Sequence, residues 1–292
     1  MRRAVGTAVA AVALLAAGCA SDADPSASSP TPDAPSETAL PDTLTAYVDQ
    51  SRVARVGRSV FVRLVNEAEA TVTVTRAEIS SDRFGEVLWT AEPGGKEIVN
   101  EGDLEFELPA ATCGTGSDAD VRLTYRVGDG PELVSDTLAT DRYGAIALFL
   151  DRDCAEQAMG EAAEAVVGEH RVVGEGRESF FELPVTLTAT GERSDVSFDG
   201  FEGTVLFRTV PPTPLFGEYD GLALKAGVSE DVVLRLAPTR CDPHALAEDK
   251  VGTLVGVNVS GPGLPPGAAY YLPISDEARA DLRGFFATYC GL

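Results

Sequence analysis

Three blocks of this chain recur later in the same order, two of them with a cysteine in register. "LEFELPAATCG" at 104–114 aligns with "VVLRLAPTRCD" at 232–242, placing Leu104, Phe106 and Leu108 on Val232, Leu234 and Leu236. "VRLTYRV" at 121–127 aligns with "TLVGVNV" at 253–259, and "IALFLDRDC" at 146–154 with "LRGFFATYC" at 282–290. A duplicated stretch this long implies that one architecture is built twice, each copy around its own core. The 292 residues, 44% of them hydrophobic, suffice for two such cores.

The repeat also orders the cysteines. Cys113, Cys154, Cys241 and Cys290 allow three pairings. Repetition favours Cys113–Cys154 and Cys241–Cys290, one bond inside each copy. A four-cysteine metal site is the rival arrangement, but no CxxC spacing supports it and no metal or other cofactor is expected.

Apolar residues alternate with polar ones in "LEFEL", "VRLTYRV", "ATVTV" (70–74), "PVTLT" (184–188) and "TLVGVNV", and apolar runs such as "EVLW" (86–89) and "TVLF" (204–207) add to them. Period-two patterning of this kind predicts half-buried antiparallel strands, separated here by Gly-rich turns. The start of each copy reads as strand, polar turn, strand: "VFVRLVNEAEATVTV" (60–74) and "LPVTLTATGERSDVSF" (183–198). A second alignment, "RVGRSVF" (55–61) on "GEGRESF" (174–180), competes at a different offset. With several short strands per copy, the pattern resembles tandem immunoglobulin-like β-sandwich domains, an all-β fold. It differs from antibody domains in that each cysteine pair comes late and would tie a strand end to a C-terminal helix. That helix is predicted from Leu282, Phe285, Phe286 and Tyr289 after a Ser275-Asp276 start, and in the first copy from Tyr143, Ile146, Ala147 and Leu150 after Asp141. The first helix runs on through "CAEQAMGEAAEAVV" as a connection into the second copy. The expected domains are 44–160 and 168–292, with the boundary between 158 and 168.

Ahead of them, Met1-Arg2-Arg3, an apolar run and the small residues Ala16, Ala17 and Gly18 lead into Cys19. The run is too short to span a bilayer, and residues 1–18 read as an export leader. "LLAAGC" resembles the lipobox of bacterial lipoproteins, with Ala16 where leucine is commoner. The resemblance implies lipidation at Cys19, cleavage before it, and a protein held on the extracytoplasmic side of the cell membrane. An ordinary secretory signal with Cys19 left as a spare thiol is the alternative. Residues 19–43, rich in Pro and Ser, are expected to form a disordered tether. With the Arg-over-Lys usage, the style is that of actinobacterial-type lipoproteins.

Net charge is −23, which repels phosphate backbones and excludes nucleic acid as a partner. In "RCDPHALAEDK" (240–250), Asp242, His244 and Glu248 are the candidates for catalysis, yet Asp242 as N-cap, Pro243 at the first helical position and Lys250 in the last turn describe a capped short helix. No nucleophile elbow or HExxH accompanies them. "SDVSFDGFEG" (194–203) reads as a solvated acidic turn and lacks the ligand order of a calcium loop. His170, in "GEHRVV", is placed in an interdomain connection. "RTVPPTPLFGEYDG" (208–221) is a stiff loop presenting Leu215, Phe216 and Tyr219, the candidate binding residues; packing of Phe216 over the end of the second domain is the plainer alternative. The reading is a non-catalytic, membrane-anchored binding or scaffolding module with an envelope protein or glycan as partner. An envelope hydrolase using Asp242 and His244, and a solute-binding lipoprotein, are the alternatives.

Overall fold

The second half begins with no linker at all: an α-helix at Ala145–Ala162 runs straight into a strand at Ala163–Val167. The computed structural model describes residues 35–247 and 250–292. Cys19, the leader and most of the expected tether, as well as Glu248, lie outside them.

Before that helix come β1 (Ser36–Glu37), β2 (Leu44–Asp49), β3 (Ser59–Asn66), β4 (Val72–Ser81), β5 (Gly85–Thr90), β6 (Lys96–Ile98), β7 (Glu101–Glu107), β8 (Ala119–Val127) and β9 (Leu133–Ala139). One sheet has the order β2-β3-β7. The other has the order β1-β9-β8-β4-β5, with β6 also on β4. Alternation dictates which face is buried: Val60, Val62 and Leu64 of β3 face Leu104 and Phe106 of β7, and Val121, Leu123 and Tyr125 of β8 point into the same core. Trp89 is half-buried against it. Each such side chain contributes about 1.5–3 kcal/mol by leaving water.

The helix at 145–162, α1, is followed by β10 (Ala163–Val167), β11 (Arg171–Val173), β12 (Phe180–Ala189), β13 (Ser197–Phe201), β14 (Phe207–Thr209), β15 (Leu222–Ala223), β16 (Ser229–Pro238), α2 (Pro243–Ala247), β17 (Gly256–Ser260), β18 (Ala269–Tyr271) and α3 (Asp276–Cys290). Their sheets are β10-β12-β16-β14, with β11 also on β12, and β15-β13-β17-β18. The two halves are therefore β-sandwich-like assemblies with matching strand order. Leu183 pairs with Leu234 and Val185 with Val232, as Val60 pairs with Phe106 and Val62 with Leu104. This register equates Val60 with Leu183 and selects the first of the two competing alignments.

Both disulfides form within the copies: Cys113–Cys154 with Cα atoms 5.5 Å apart and Cys241–Cys290 with Cα atoms 5.1 Å apart. Each joins the loop after a strand, β7 or β16, to a helix, as the repeat predicts.

Several local expectations change. Ser36 and Glu37 pair in parallel with Leu133 and Val134, within the stretch expected to be tether, because β9 leaves a free backbone edge there. Ser197–Phe201 is a strand rather than an acidic turn: Phe198 and Phe201 are both fully buried, and that burial outweighs the acidic content. "GEHRVV" is not a connection either, since β11 pairs with β12. Lys250 itself is not helical, so it does not occupy a last helical turn.

α1 runs on past Cys154 as expected but ends at Ala162, where β10 replaces the helical connection expected through Val167, and it is shared. Ile146, Phe149, Leu150 and Cys154 belong to the first core; Ala155, Ala158, Met159 and Ala162 belong to the second. Its start is held by Asp141, whose Oδ2 accepts the Ala147 N–H at 2.8 Å. Residues 35–292 form one compact unit.

Candidate functional site

Leu215, Phe216 and Tyr219 are brought onto the edge of β13, but mostly for packing. Gly200 in β13 has φ +120°, and a Cβ there would meet the loop backbone at Pro214 O (2.9 Å) and Phe216 N (2.8 Å). The loop is thus laid directly on the strand: Phe201 N donates to Pro214 O at 2.7 Å and Phe216 N donates to Phe201 O at 3.0 Å. Tyr219 packs edge-on against Phe198 with ring centroids 6.0 Å apart, and Leu215 is half-buried. Phe216 alone of the three is exposed, at 38%, with its ring end towards Gly267.

The Asp242–His244 pair is a helix cap. Asp242 Oδ1 accepts the His244 backbone N–H at 3.0 Å, and the His244 residue is exposed. Among the described residues, no group of three or more His, Cys, Asp or Glu is placed to hold a metal ion.

The other histidine has the richer surroundings. His170 stacks on Phe181, with centroids 4.8 Å apart and planes 13° apart, and its Nε2 donates to Asp281 Oδ2 at 2.9 Å. These groups stand at the mouth of a groove of about 650 Å³ between β11, the turn at 174–179, and α3. An aromatic run lies along it: Phe285 is 6.0 Å from Phe181 and Tyr289 is 5.7 Å from Phe285. Arg177 holds Tyr289 in place, its guanidinium 5.1 Å over the Tyr289 ring and its carbonyl accepting the Tyr289 hydroxyl at 3.0 Å.

Helical periodicity explains how α3 makes this wall. Leu282 and Phe286 are fully buried in the core, whereas Asp281, Gly284 and Thr288 fall on the adjoining stripe and line the groove. A glycine in mid-helix costs about 1 kcal/mol relative to alanine. A Cβ at Gly284 would meet nothing within 4 Å, so packing does not demand the glycine. Its effect is to keep the groove wide.

The opposite wall is braced by an ion cluster. Glu182 of β12, 4% exposed, accepts from Arg171 Nε at 2.7 Å and from Arg235 Nε at 2.7 Å. Burial pushes the Glu182 carboxyl up, but the two guanidinium groups outweigh it and hold it below the ordinary carboxylate range. Arg171 is thereby fixed beside His170 while remaining largely exposed at the groove edge.

Sequence reasoning misses this site because its parts are distant in the chain. His170 and Asp281 are 111 residues apart. The available signal is Gly284, a helix-weakening residue inside a strongly periodic segment.

No family model matches the chain, and no curated protein matches it. Among solved structures, the exo-β-D-glucosaminidase CsxA is similar at 12% identity and a TM-score of 0.21, over 80% of this chain and 26% of that one. The Amycolatopsis orientalis exo-chitosanase CsxA gives 12% identity and 0.20, over 73% and 25%. The BSP domain of a biofilm associated protein gives 10% and 0.20, over 85% and 60%. The chain spans about a quarter of the length of the first two. Likeness at these scores says nothing about function. No described helix is long and apolar enough to cross a membrane.

Proposed function

We propose that this protein is a lipid-anchored, extracytoplasmic binding module of the cell envelope, built from two immunoglobulin-like sandwiches, with its ligand-binding surface in the groove beside α3. The groove carries the proposal. It combines an apolar aromatic floor with a few placed polar groups, His170, Asp281 and Arg171, which is the composition of sites that accept a ligand. Intramolecular disulfides in both halves suit an oxidising, extracytoplasmic compartment. The strand orders β2-β3-β7 and β9-β8-β4, repeated as β10-β12-β16 and β18-β17-β13, suit the immunoglobulin-like reading. Lipidation at Cys19 rests on the lipobox-like leader alone.

The test is photocrosslinking on intact cells from a reactive residue introduced at Thr288, with a second probe at Phe216. The expected result is an envelope protein or glycan captured from position 288 and lost when Gly284→Leu fills the groove. Capture from position 216 only, or capture unaffected by Gly284→Leu, would move the site to the 208–221 loop. Anchoring is tested separately: Cys19→Ala is expected to release the protein from the membrane fraction.

A further inference from the structure

Among the described residues, two arginines are buried, and they are treated differently. Arg83, 4% exposed, has the Asp151 carboxylate at 3.1 Å and donates to two backbone carbonyls. Arg152, 8% exposed, has no carboxylate within ion-pair distance among the described residues. Its Nη1 donates to the Arg55 carbonyl at 3.1 Å, and its guanidinium lies 4.2 Å over the Tyr271 ring. A buried cation without a counter-ion is costly. The chain has 46 acidic and 23 basic residues, so carboxylates are not scarce.

Arg152 faces a cavity of about 230 Å³ at the seam between the halves. Arg55, Arg58 and Arg279 line the same space. Arg58 is already committed to Asp153, at 2.8 and 2.9 Å. The Arg55 guanidinium has no hydrogen bond or ion pair among the described residues. Arg279 has only Thr253 Oγ1 at 3.2 Å and Asp276 at 4.0 Å. Burial pulls Arg152 below the ordinary guanidinium value, and the neighbouring charge of Arg55 acts in the same direction. Glu156 is the remaining acid lining the space; burial and the Asp153 charge push its carboxyl up, towards the neutral form.

We propose that this seam cavity is a binding site for a small oxyanion, phosphate or carboxylate, held by Arg152, Arg55 and Arg279. Guanidinium groups match the flat, two-oxygen edges of such anions. The volume equals about seven or eight waters and is smaller than pockets for drug-sized ligands. It accommodates a free anion or the terminal group of a larger molecule. Because Arg55 lies between β2 and β3 of the first half and Arg279 belongs to α3 of the second, the anion would tie the two halves together.

The test is thermal unfolding of the full-length protein with inorganic phosphate or succinate, against chloride at equal ionic strength. One of the two anions is expected to raise Tm saturably, by about 3–5 °C at roughly tenfold excess over its Kd. The anion that acts identifies the chemistry. Arg55→Gln and Arg279→Gln, at partly exposed positions that leave the core intact, are expected to weaken binding about tenfold or more. Arg152→Met is expected to abolish it, and the two milder variants decide the matter if that protein does not fold. Glu156→Gln is expected to leave binding unchanged or tighten it, since any charge the carboxyl keeps competes with the anion. No saturable shift beyond chloride, or a shift unaffected by Arg55→Gln and Arg279→Gln, would overturn the proposal. So would weaker binding in Glu156→Gln, which would make Glu156 a partner of the bound species rather than its competitor.

Discussion

α1 and α3 descend from the same repeated block, yet they do different work. Residue by residue, Leu148 corresponds to Gly284, Asp151 to Ala287, Arg152 to Thr288 and Asp153 to Tyr289. In α1 the charged positions act as clamps: Asp151 takes Arg83 and Asp153 takes Arg58 and the Ala111 N–H, fixing the loop that carries Cys113. In α3 the same positions are small or aromatic, and Thr288 and Tyr289 line a groove. α1 runs eight residues past its cysteine, from Ala155 to Ala162, and is buried on both sides by two cores. α3 stops at Cys290 and keeps one face open. Duplication supplied two equivalent helices, and substitution at the exposed stripe made one a strut and the other a wall of a candidate site.

The largest effects should come from the cores. Phe286→Ala is expected to cost about 3–5 kcal/mol and Met159→Ala about 2–5 kcal/mol, measured by denaturant unfolding. Hydrogen exchange sharpens the contrast: Met159→Ala, although in α1, should loosen β17 and β18 of the second half. If it loosens only the first half, the shared-helix description fails.

The disulfides come next. They close separations of 41 and 49 residues, for which loop entropy gives about 4 kcal/mol each. Paired Cys→Ala changes should nevertheless differ. The Cys113 loop stays in place through Arg83 and Arg58, so the full loss is expected there. Among the described residues no ion pair to a carboxylate holds the Cys241 loop, where Arg177 Nη1 contacts Cys241 Sγ at 2.7 Å; it gains freedom in the folded state, so a smaller loss is expected, with new protease sensitivity around 240–250. Equal sensitivity of the two loops would erase the distinction.

Acid unfolding probes the clamps directly. Burial raises the Asp153 carboxyl, but hydrogen bonds from Arg58 and Ala111 hold it below its ordinary value. Its stabilisation is therefore complete above the unfolded value, about pH 4, and is lost as pH falls through the lower folded value. Glu182 in the second half behaves likewise. Asp153→Asn and Glu182→Gln should each flatten the fall of Tm between pH 5 and 2; an unchanged profile would remove these carboxylates from the account.

The smallest effect should be a gain. Gly284→Ala is expected to stabilise α3 by up to about 1 kcal/mol, since a Cβ there meets open space. A loss of stability would mean that the glycine serves packing and not the groove.

Most of the strands, α1, α3 and both disulfides were legible because alternation, helical period and the repeat are local or pairwise signals. Val60, Leu104, Leu123 and their counterparts announce their buried faces by spacing alone. The acidic segment at 194–203 misled because its charges are conspicuous and its two decisive residues, Phe198 and Phe201, are few. The groove was not legible: His170 acquires meaning only when β11 pairs with β12 and brings it to Asp281. The seam cavity was hidden for the same reason, since Arg55, Arg152 and Arg279 lie on three separate segments.

By itself, the sequence determined two β-rich copies, their cysteine pairs and their helix faces, because each depends on periodicities that a linear chain carries. The tertiary structure decided that one helix would serve two cores, that a histidine set aside as unremarkable would stand over an aromatic groove, and that a buried arginine would have no carboxylate within ion-pair distance among the described residues. Those outcomes depend on which distant side chains converge after packing, and that convergence leaves no spacing in the chain to be read.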